Sequence, residues 1–77
     1  MDREIFLQKV IAQFVDLDKI LSFESNFREN NSYDSLTGMT IMVMIKDDYG
    51  IDITENEYRS KKSIAELYDF VNQNKKQ

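Results

Sequence analysis

The first apolar positions along the chain recur with the spacing of an α-helix. Between about Arg3 and Val15, apolar side chains fall at i, i+3, i+4 and i+7, with one more beside them: Leu7, Val10, Ile11 and Phe14, and Phe6. Because this spacing places side chains on one side of a helix, we expect a first helix whose apolar stripe faces the core.

The periodicity breaks from Asp16 to Tyr33, where serines and asparagines supply turn chemistry. Four apolar residues interrupt this stretch, and we expect burial to anchor the chain at them: Ile20, Leu21, Phe23 and Phe27. We therefore predict a long loop. A loop of this length in a compact domain is usually functional, because ordering it costs backbone entropy.

A second helix is predicted from Asp34 or Ser35, either of which can cap it, to about Tyr49, with Gly50 ending it. Its apolar residues form two rows. The row headed by Gly38 is expected to fill the core: Ile41, Met42, Ile45 and Tyr49. The other row lies on a different face: Leu36, Met39 and Val43. This second row is either surplus to a small core or belongs to a helix buried on two sides.

A short third helix is predicted where Thr54 and Glu57 have the spacing of a capping box. It includes Tyr58 and ends at Lys61 and Lys62.

Ser63 and Glu66 repeat the capping-box spacing and open a fourth helix. Its apolar stripe again has helical spacing: Ile64, Leu67, Tyr68 and Val71. We expect this helix to run to about Asn72 and residues 73–77 to fray. The predicted fold class is all-α, a small antiparallel four-helix bundle with a long first loop and a short third helix, in one domain spanning residues 1–77.

Composition limits the chemistry that the chain can perform by itself. Its 77 residues include neither cysteine nor histidine, so a disulfide framework, a thiolate metal site and imidazole catalysis are excluded. A serine nucleophile would lack its usual base. We therefore expect no catalytic residues, no metal site and no enzyme activity.

The charge of the chain limits the classes of partner it can bind, and its hydropathy bears on its location. The net charge of -4 disfavours nucleic acid, whose phosphates are bound by lysine and arginine, and favours partners with basic patches. No apolar run approaches the length of a membrane span, and the opening Met-Asp-Arg-Glu differs from a signal peptide. We expect a cytoplasmic protein that is a monomer.

Two acidic features are weak candidates for chemistry. Asp47 and Asp48 are adjacent, so on a helix they point in different directions and make an improbable catalytic dyad. A calcium loop with Gly50 at its sixth position would place Ile45 at the first, where a carboxylate ligand belongs.

Ser35 is the stronger candidate, because it stands at the predicted start of the second helix between Asp34 and Leu36. The amide groups and dipole at a helix N-terminus favour a negative group such as a phosphate. If Asp34 supplies the cap, the hydroxyl of Ser35 is available for modification. The alternative is that Ser35 only caps the helix.

Several segments with matching order and spacing resemble the acyl carrier protein family, over nearly the whole chain. They are Glu24-Ser25-Asn26-Phe27, Asp34-Ser35-Leu36, the apolar helix from Met39 to Ile45, Tyr49-Gly50-Ile51-Asp52-Ile53, and Ser63-Ile64-Ala65-Glu66-Leu67 with Phe70-Val71. The resemblance implies a carrier bundle in which a phosphopantetheinyl transferase attaches 4'-phosphopantetheine from coenzyme A to Ser35, flanked by Asp34 and Leu36. The thiol of this arm would then hold acyl groups as thioesters.

The resemblance also implies partners. An acyl-loading ligase or acyltransferase and downstream synthase enzymes would dock on Leu36, Met39 and Val43. In this family an acyl chain can shelter among the helices, and the residues expected to repack around it here are Met39, Met42, Met44, Ile45 and Tyr49.

The sequence departs from the family at several positions. Thr37 and Thr40 stand where carriers of fatty acid synthesis usually have acidic residues, and Lys46 reverses another. Asn31-Ser32-Tyr33 replaces a glycine-containing turn, and Thr54 stands at a common proline position. These departures imply a carrier for a specialised lipid, fatty acid or polyketide-type pathway. Two alternatives stay open: an aminoacyl or peptidyl carrier paired with an adenylating ligase, and an unmodified helical adaptor whose exposed row binds a partner groove.

Overall fold

The computed structural model describes residues 2–15 and 21–74. In this part of the chain there are four α-helices: α1 (Arg3–Ile11), α2 (Ser35–Tyr49), α3 (Glu55–Ser60) and α4 (Ile64–Asn74). A short 3-10 helix, Phe27–Glu29, lies between α1 and α2. The all-α fold predicted from the sequence is confirmed, as a small helical bundle.

Helix α1 begins where Asp2 accepts hydrogen bonds from the backbone N–H groups of Glu4 and Ile5, at 2.8 and 3.1 Å. It ends at Ile11, so the predicted extension to Val15 is wrong. The N–H groups of Gln13 and Phe14 bond three residues back instead of four, and such tighter turns are frequent at helix ends. The change of pitch directs Phe14 into the core and leaves Val15 almost fully exposed.

The apolar stripe of α1 is confirmed, but its centre lies one residue earlier than the spacing suggests. Phe6 and Val10 are fully buried, whereas Leu7 and Ile11 are only partly buried against the core. The ring of Phe6 packs between Tyr49 of α2 and Tyr68 of α4, with ring centroids 5.6 and 5.7 Å away. The helix therefore uses its largest apolar side chain to join its two neighbours.

The long connection between α1 and α2 is anchored by burial, as predicted. Leu21 and Phe27 are buried and Phe23 is partly buried, while Ile20 lies outside the described residues. The 3-10 helix at Phe27 was not predicted, because three residues are too short to show a periodicity. The side chain of Asn26 caps it by accepting from the N–H of Arg28.

Helix α2 matches its predicted bounds. Gly50 ends it in the left-handed conformation, with φ 71°, and donates its N–H to the carbonyl of Lys46. The core row is only partly as expected: Ile41 and Ile45 are fully buried, but Met42 and Tyr49 are partly exposed. Met44, which the two-row pattern left out, is also buried.

The capping box of α3 is complete, since Thr54 and Glu57 each accept from the other's backbone N–H. At α4 only half of the predicted box forms. Ser63 accepts from the N–H of Glu66, but the Glu66 carboxylate accepts from the N–H of Lys62 instead of Ser63. Two residues before α4 therefore take part in its cap: Ser63 as an acceptor through its side chain, and Lys62 as a donor through its backbone N–H.

Helix α4 continues to Asn74, two residues beyond its predicted end at Asn72. The amide of Asn74 donates to the carbonyl of Phe70 at 2.8 Å, which satisfies one of the acceptors that a helix end leaves free. The rest of the predicted tail, residues 75–77, lies outside the described residues.

One apolar core draws on all these elements, with α1 packed against both α2 and α4. Its members are Phe6, Val10, Phe14, Leu21, Phe27, Ile41, Met44, Ile45, Ile51, Ile53, Tyr58, Ile64, Leu67 and Val71. No helix in the described part of the chain has both the length and the apolar character needed to cross a membrane.

Candidate functional site

Asp34 caps α2. Its Oδ1 atom accepts from the backbone N–H of Thr37 at 2.8 Å and from the Thr37 hydroxyl at 2.9 Å. The Thr37 backbone bond, then the Thr37 hydroxyl bond and the Leu36 backbone, lower the pKa of Asp34. The carboxylate therefore stays ionised at neutral pH and is a weak base. Of the two capping residues that the sequence left open, the structure selects Asp34.

Ser35 is the first residue of α2, and its side chain is exposed. Because Asp34 closes the helix, the Ser35 hydroxyl has no part in the cap. It lies at the positive end of a helix of 15 residues, where the helix dipole stabilises a phosphate. The position fits a phosphodiester linked to the hydroxyl oxygen.

An apolar row runs along α2 from this point. Leu36, Met39 and Val43 are 63%, 58% and 55% exposed, so of the two possibilities that the sequence left open, the row is surplus to the core. They line a shallow groove of about 440 Å³ that ends at Asp47 and Asp48. Three large apolar side chains held on one helix face in solvent are suited to binding another protein. Their role as a partner surface stays a prediction.

Asp48 has a structural role as well. Its carboxylate pairs with the ammonium of Lys9 at 2.9 Å and so links α2 to α1. Exposed pairs of this kind contribute little stability in water. Asp47, its neighbour, is exposed.

On the other side of Ser35 lies a feature that the sequence pattern did not predict. The hydroxyls of Tyr33 and Tyr58 are 2.9 Å apart, which brings the residue before the α2 cap against α3. Gly38 makes room for them, because a Cβ atom there would stand 2.6 Å from the Tyr33 hydroxyl. The available signal was a glycine inside a helix, which often marks a close approach.

The departures from the family pattern differ in their exposure. Thr37 is only 3% exposed and bonds to Asp34, so it does not offer a partner-facing side chain. Thr40 is partly buried and donates to the carbonyl of Thr37. Lys46 is exposed and pairs with Asp52 at 3.4 Å. Of the three, Lys46 alone has an exposed side chain.

Comparison with known proteins decides the family. The family model described as "Phosphopantetheine attachment site" matches residues 6–71. The chain is 32% identical to an acyl carrier protein of Rickettsia bellii, over 88% of this chain and 84% of that protein. The chain belongs to the acyl carrier protein family. It is also 28% identical to an acyl carrier protein of Thermosynechococcus vestitus, over 94% of each.

A further acyl carrier protein, from Rickettsia canadensis, is 30% identical over 82% of this chain and 74% of that protein. No solved structure matches the chain significantly. As an acyl carrier protein, the chain is a carrier and not an enzyme, and its cofactor is phosphopantetheine. Membership of this family implies that the chain interacts with transferase and synthase enzymes.

Proposed function

We propose that Ser35 is the attachment point of 4'-phosphopantetheine and that residues 1–77 act as one carrier domain. One observation carries this assignment: Ser35 is exposed at the start of α2, Asp34 performs the capping in its place, and the exposed apolar row begins at the next residue. When bound, the arm supplies a terminal thiol that holds acyl groups as thioesters.

Ser35 contributes only its hydroxyl to the attachment. Its oxygen forms the new phosphoester bond as the pyrophosphate bond of coenzyme A breaks, adenosine bisphosphate leaves, and the hydroxyl proton passes to a base. Asp34 is a poor choice for that base, because Thr37 occupies its carboxylate and its pKa is lowered. With no histidine in the chain, the transferase supplies the base.

The partner surface in this proposal is Leu36, Met39 and Val43, with Asp47 and Asp48 at the far end of the groove. A transferase, a loading ligase or acyltransferase, and the synthase enzymes that follow would each contact this row and place basic groups near the two aspartates. Thr37, Thr40 and Lys46 make α2 less negative than the matching helix of carriers of fatty acid synthesis. This supports a dedicated lipid, fatty acid or polyketide-type pathway; a cytoplasmic location and a monomeric state stay predictions.

Intact-mass measurement after incubation with coenzyme A and a broad-specificity phosphopantetheinyl transferase tests the assignment. The parent protein should gain the mass of one arm, and Ser35→Ala should gain none. Ser63→Ala is the matched control, because Ser63 is another serine at a helix start, although it caps its helix by accepting from a backbone N–H. This variant should be modified like the parent. Modification of Ser35→Ala, or no gain in the parent, would refute the assignment.

A further inference from the structure

Two tyrosines line the space between the start of α2 and α3. Tyr58 is 4% exposed, and its hydroxyl and that of Tyr33 are 2.9 Å apart. Both rings pack on Phe27, with centroids 5.8 Å from Tyr33 and 6.1 Å from Tyr58. Burial, and then the bond to Tyr33, raise the pKa of Tyr58, so the hydroxyl pair stays neutral and bonded.

The pair is held from two directions. On the α2 side, Gly38 leaves just enough room for the Tyr33 hydroxyl. On the loop side, the guanidinium of Arg28 lies over the rings of Phe27 and Tyr58, at 4.8 and 4.6 Å from their centroids, and donates to the carbonyl of Tyr58. An acyl chain entering here would have to break the hydrogen bond between the two hydroxyls. It would also have to displace two rings that pack on Phe27, one of which lies under the guanidinium of Arg28.

A recess of about 270 Å³ stays open beside Ser35, between α2 and α3, and the two tyrosines are part of its lining. Met39 and Met42 contribute apolar wall, and polar groups face it from Tyr33, Arg59 and Glu55. Arg59 and Glu55 are exposed and pair with each other at 3.2 Å. The recess therefore offers hydroxyl, guanidinium and carboxylate groups within reach of the start of the arm.

We infer, building on the assignment of Ser35, that the Tyr33–Tyr58 pair closes the way from this recess into the core between α2 and α3. The carrier then presents a short or polar acyl group at its surface, in the recess beside Ser35, and does not enclose a long aliphatic chain. This argues against the expectation that one guest is enclosed by Met39, Met42, Met44, Ile45 and Tyr49. Met39 is 58% exposed, whereas Met44 and Ile45 are buried.

Thermal unfolding of acyl-loaded forms tests the closure. The transferase loads Ser35 from butyryl, octanoyl or dodecanoyl coenzyme A, and intact mass verifies each product. The unfolding midpoints of the butyryl and dodecanoyl forms should differ by less than about 2 °C, because methylenes that stay in water bury no surface. A midpoint that rises by about 5 °C or more with chain length would overturn the inference.

Two variants separate the ring from the hydroxyl. Tyr33→Ala opens the space and should acquire a midpoint that rises with chain length, whereas Tyr33→Phe keeps the ring and should stay flat. Methyl NMR of the parent gives a second readout that does not depend on a variant's folding. Loading with dodecanoyl should leave the methyl shifts of Ile41 and Ile45 unchanged, and a shift at either would contradict the closure.

Failure of the Ser35 assignment would be seen separately, as absence of a mass gain. The closure can then still be tested, because the chain has no cysteine and Ser35→Cys supplies a unique thiol. Alkyl iodoacetamides of increasing length attach to that thiol, and the same flat series of midpoints is expected. A rise with alkyl length would again count against the closure.

Discussion

Gly38 is the residue at which α2 accommodates the tyrosine pair. A helix interior normally favours alanine over glycine by up to about 1 kcal/mol, so glycine here is a local cost. A Cβ atom at this position would lie 2.6 Å from the Tyr33 hydroxyl, which explains why the helix has glycine here. The other close atoms, on the rings of Tyr33 and Tyr58, would be at an ordinary 3.5 Å.

Gly38→Ala should therefore destabilise the protein despite its better helix propensity. Overpacking costs about 1–3 kcal/mol and the loss of the hydroxyl bond about 1 kcal/mol, while the better helix propensity returns about 1 kcal/mol, so we expect a net loss of about 1–3 kcal/mol. Denaturant unfolding measures it. In a Tyr33→Phe background the 2.6 Å contact is absent, and there Gly38→Ala should be neutral or stabilising. Equal effects in both backgrounds would contradict this account.

Individual residues were predictable where their chemistry is local. Asp34 and Ser35 were singled out because a cap and a helix start are read from adjacent positions, although the sequence could not say which residue caps. The Tyr33–Tyr58 contact joins residues 25 positions apart, and no local pattern encodes it. The burial of Thr37 was also missed, because burial depends on the assembled fold and not on adjacent residues.

Helix α2 presents three different surfaces. Ile41 and Ile45 enter the core, Gly38 faces the tyrosines, and the row of Leu36, Met39 and Val43 is exposed. The row could be told apart from the core by periodicity, because the two are separated around the helix axis. Helix ends were harder: α1 stops early and α4 runs on, since tight turns and a side-chain bond decide those ends.

Met39→Glu and Val43→Glu should leave the fold intact and impair function. Because both side chains are more than half exposed, each substitution should change the free energy of unfolding by less than about 0.5 kcal/mol. The rate of arm attachment should fall roughly tenfold, because a charge in the centre of an apolar contact is desolvated without a partner. Circular dichroism and intact mass over time measure the two effects.

Met44→Glu is the matched control on the same helix. Met44 is buried, so its replacement by a carboxylate should destabilise the protein by on the order of 3 kcal/mol or more. Loss of helicity in Met39→Glu, or an unchanged attachment rate in both surface variants, would remove the exposed row from the partner surface.

Backbone contacts attach the connection between α1 and α2 to the rest of the bundle. The N–H of Ala65 donates to the carbonyl of Phe23 at 2.8 Å, and Asn26 forms an isolated antiparallel bridge with Ser63. These contacts join the loop to the start of α4. The sequence revealed the apolar anchors of the loop, because they interrupt a polar stretch, but not these backbone pairings, which depend on the assembled fold.

Arg28 links the same loop to α3, because its guanidinium donates to the carbonyls of Tyr58 and Lys61 at the end of that helix. Arg28→Met keeps most of the apolar stem but leaves both carbonyls without this donor. Since hydrogen bonds from a charged group contribute about 1.5–3 kcal/mol, we expect a loss of about 2 kcal/mol in the free energy of unfolding. Arg59→Met is the control, because it removes only an exposed pair with Glu55, worth at most about 1 kcal/mol. Urea unfolding measures both losses. Equal losses in the two variants would mean that Arg28, too, is only a surface charge, and that the loop is held by its apolar anchors alone.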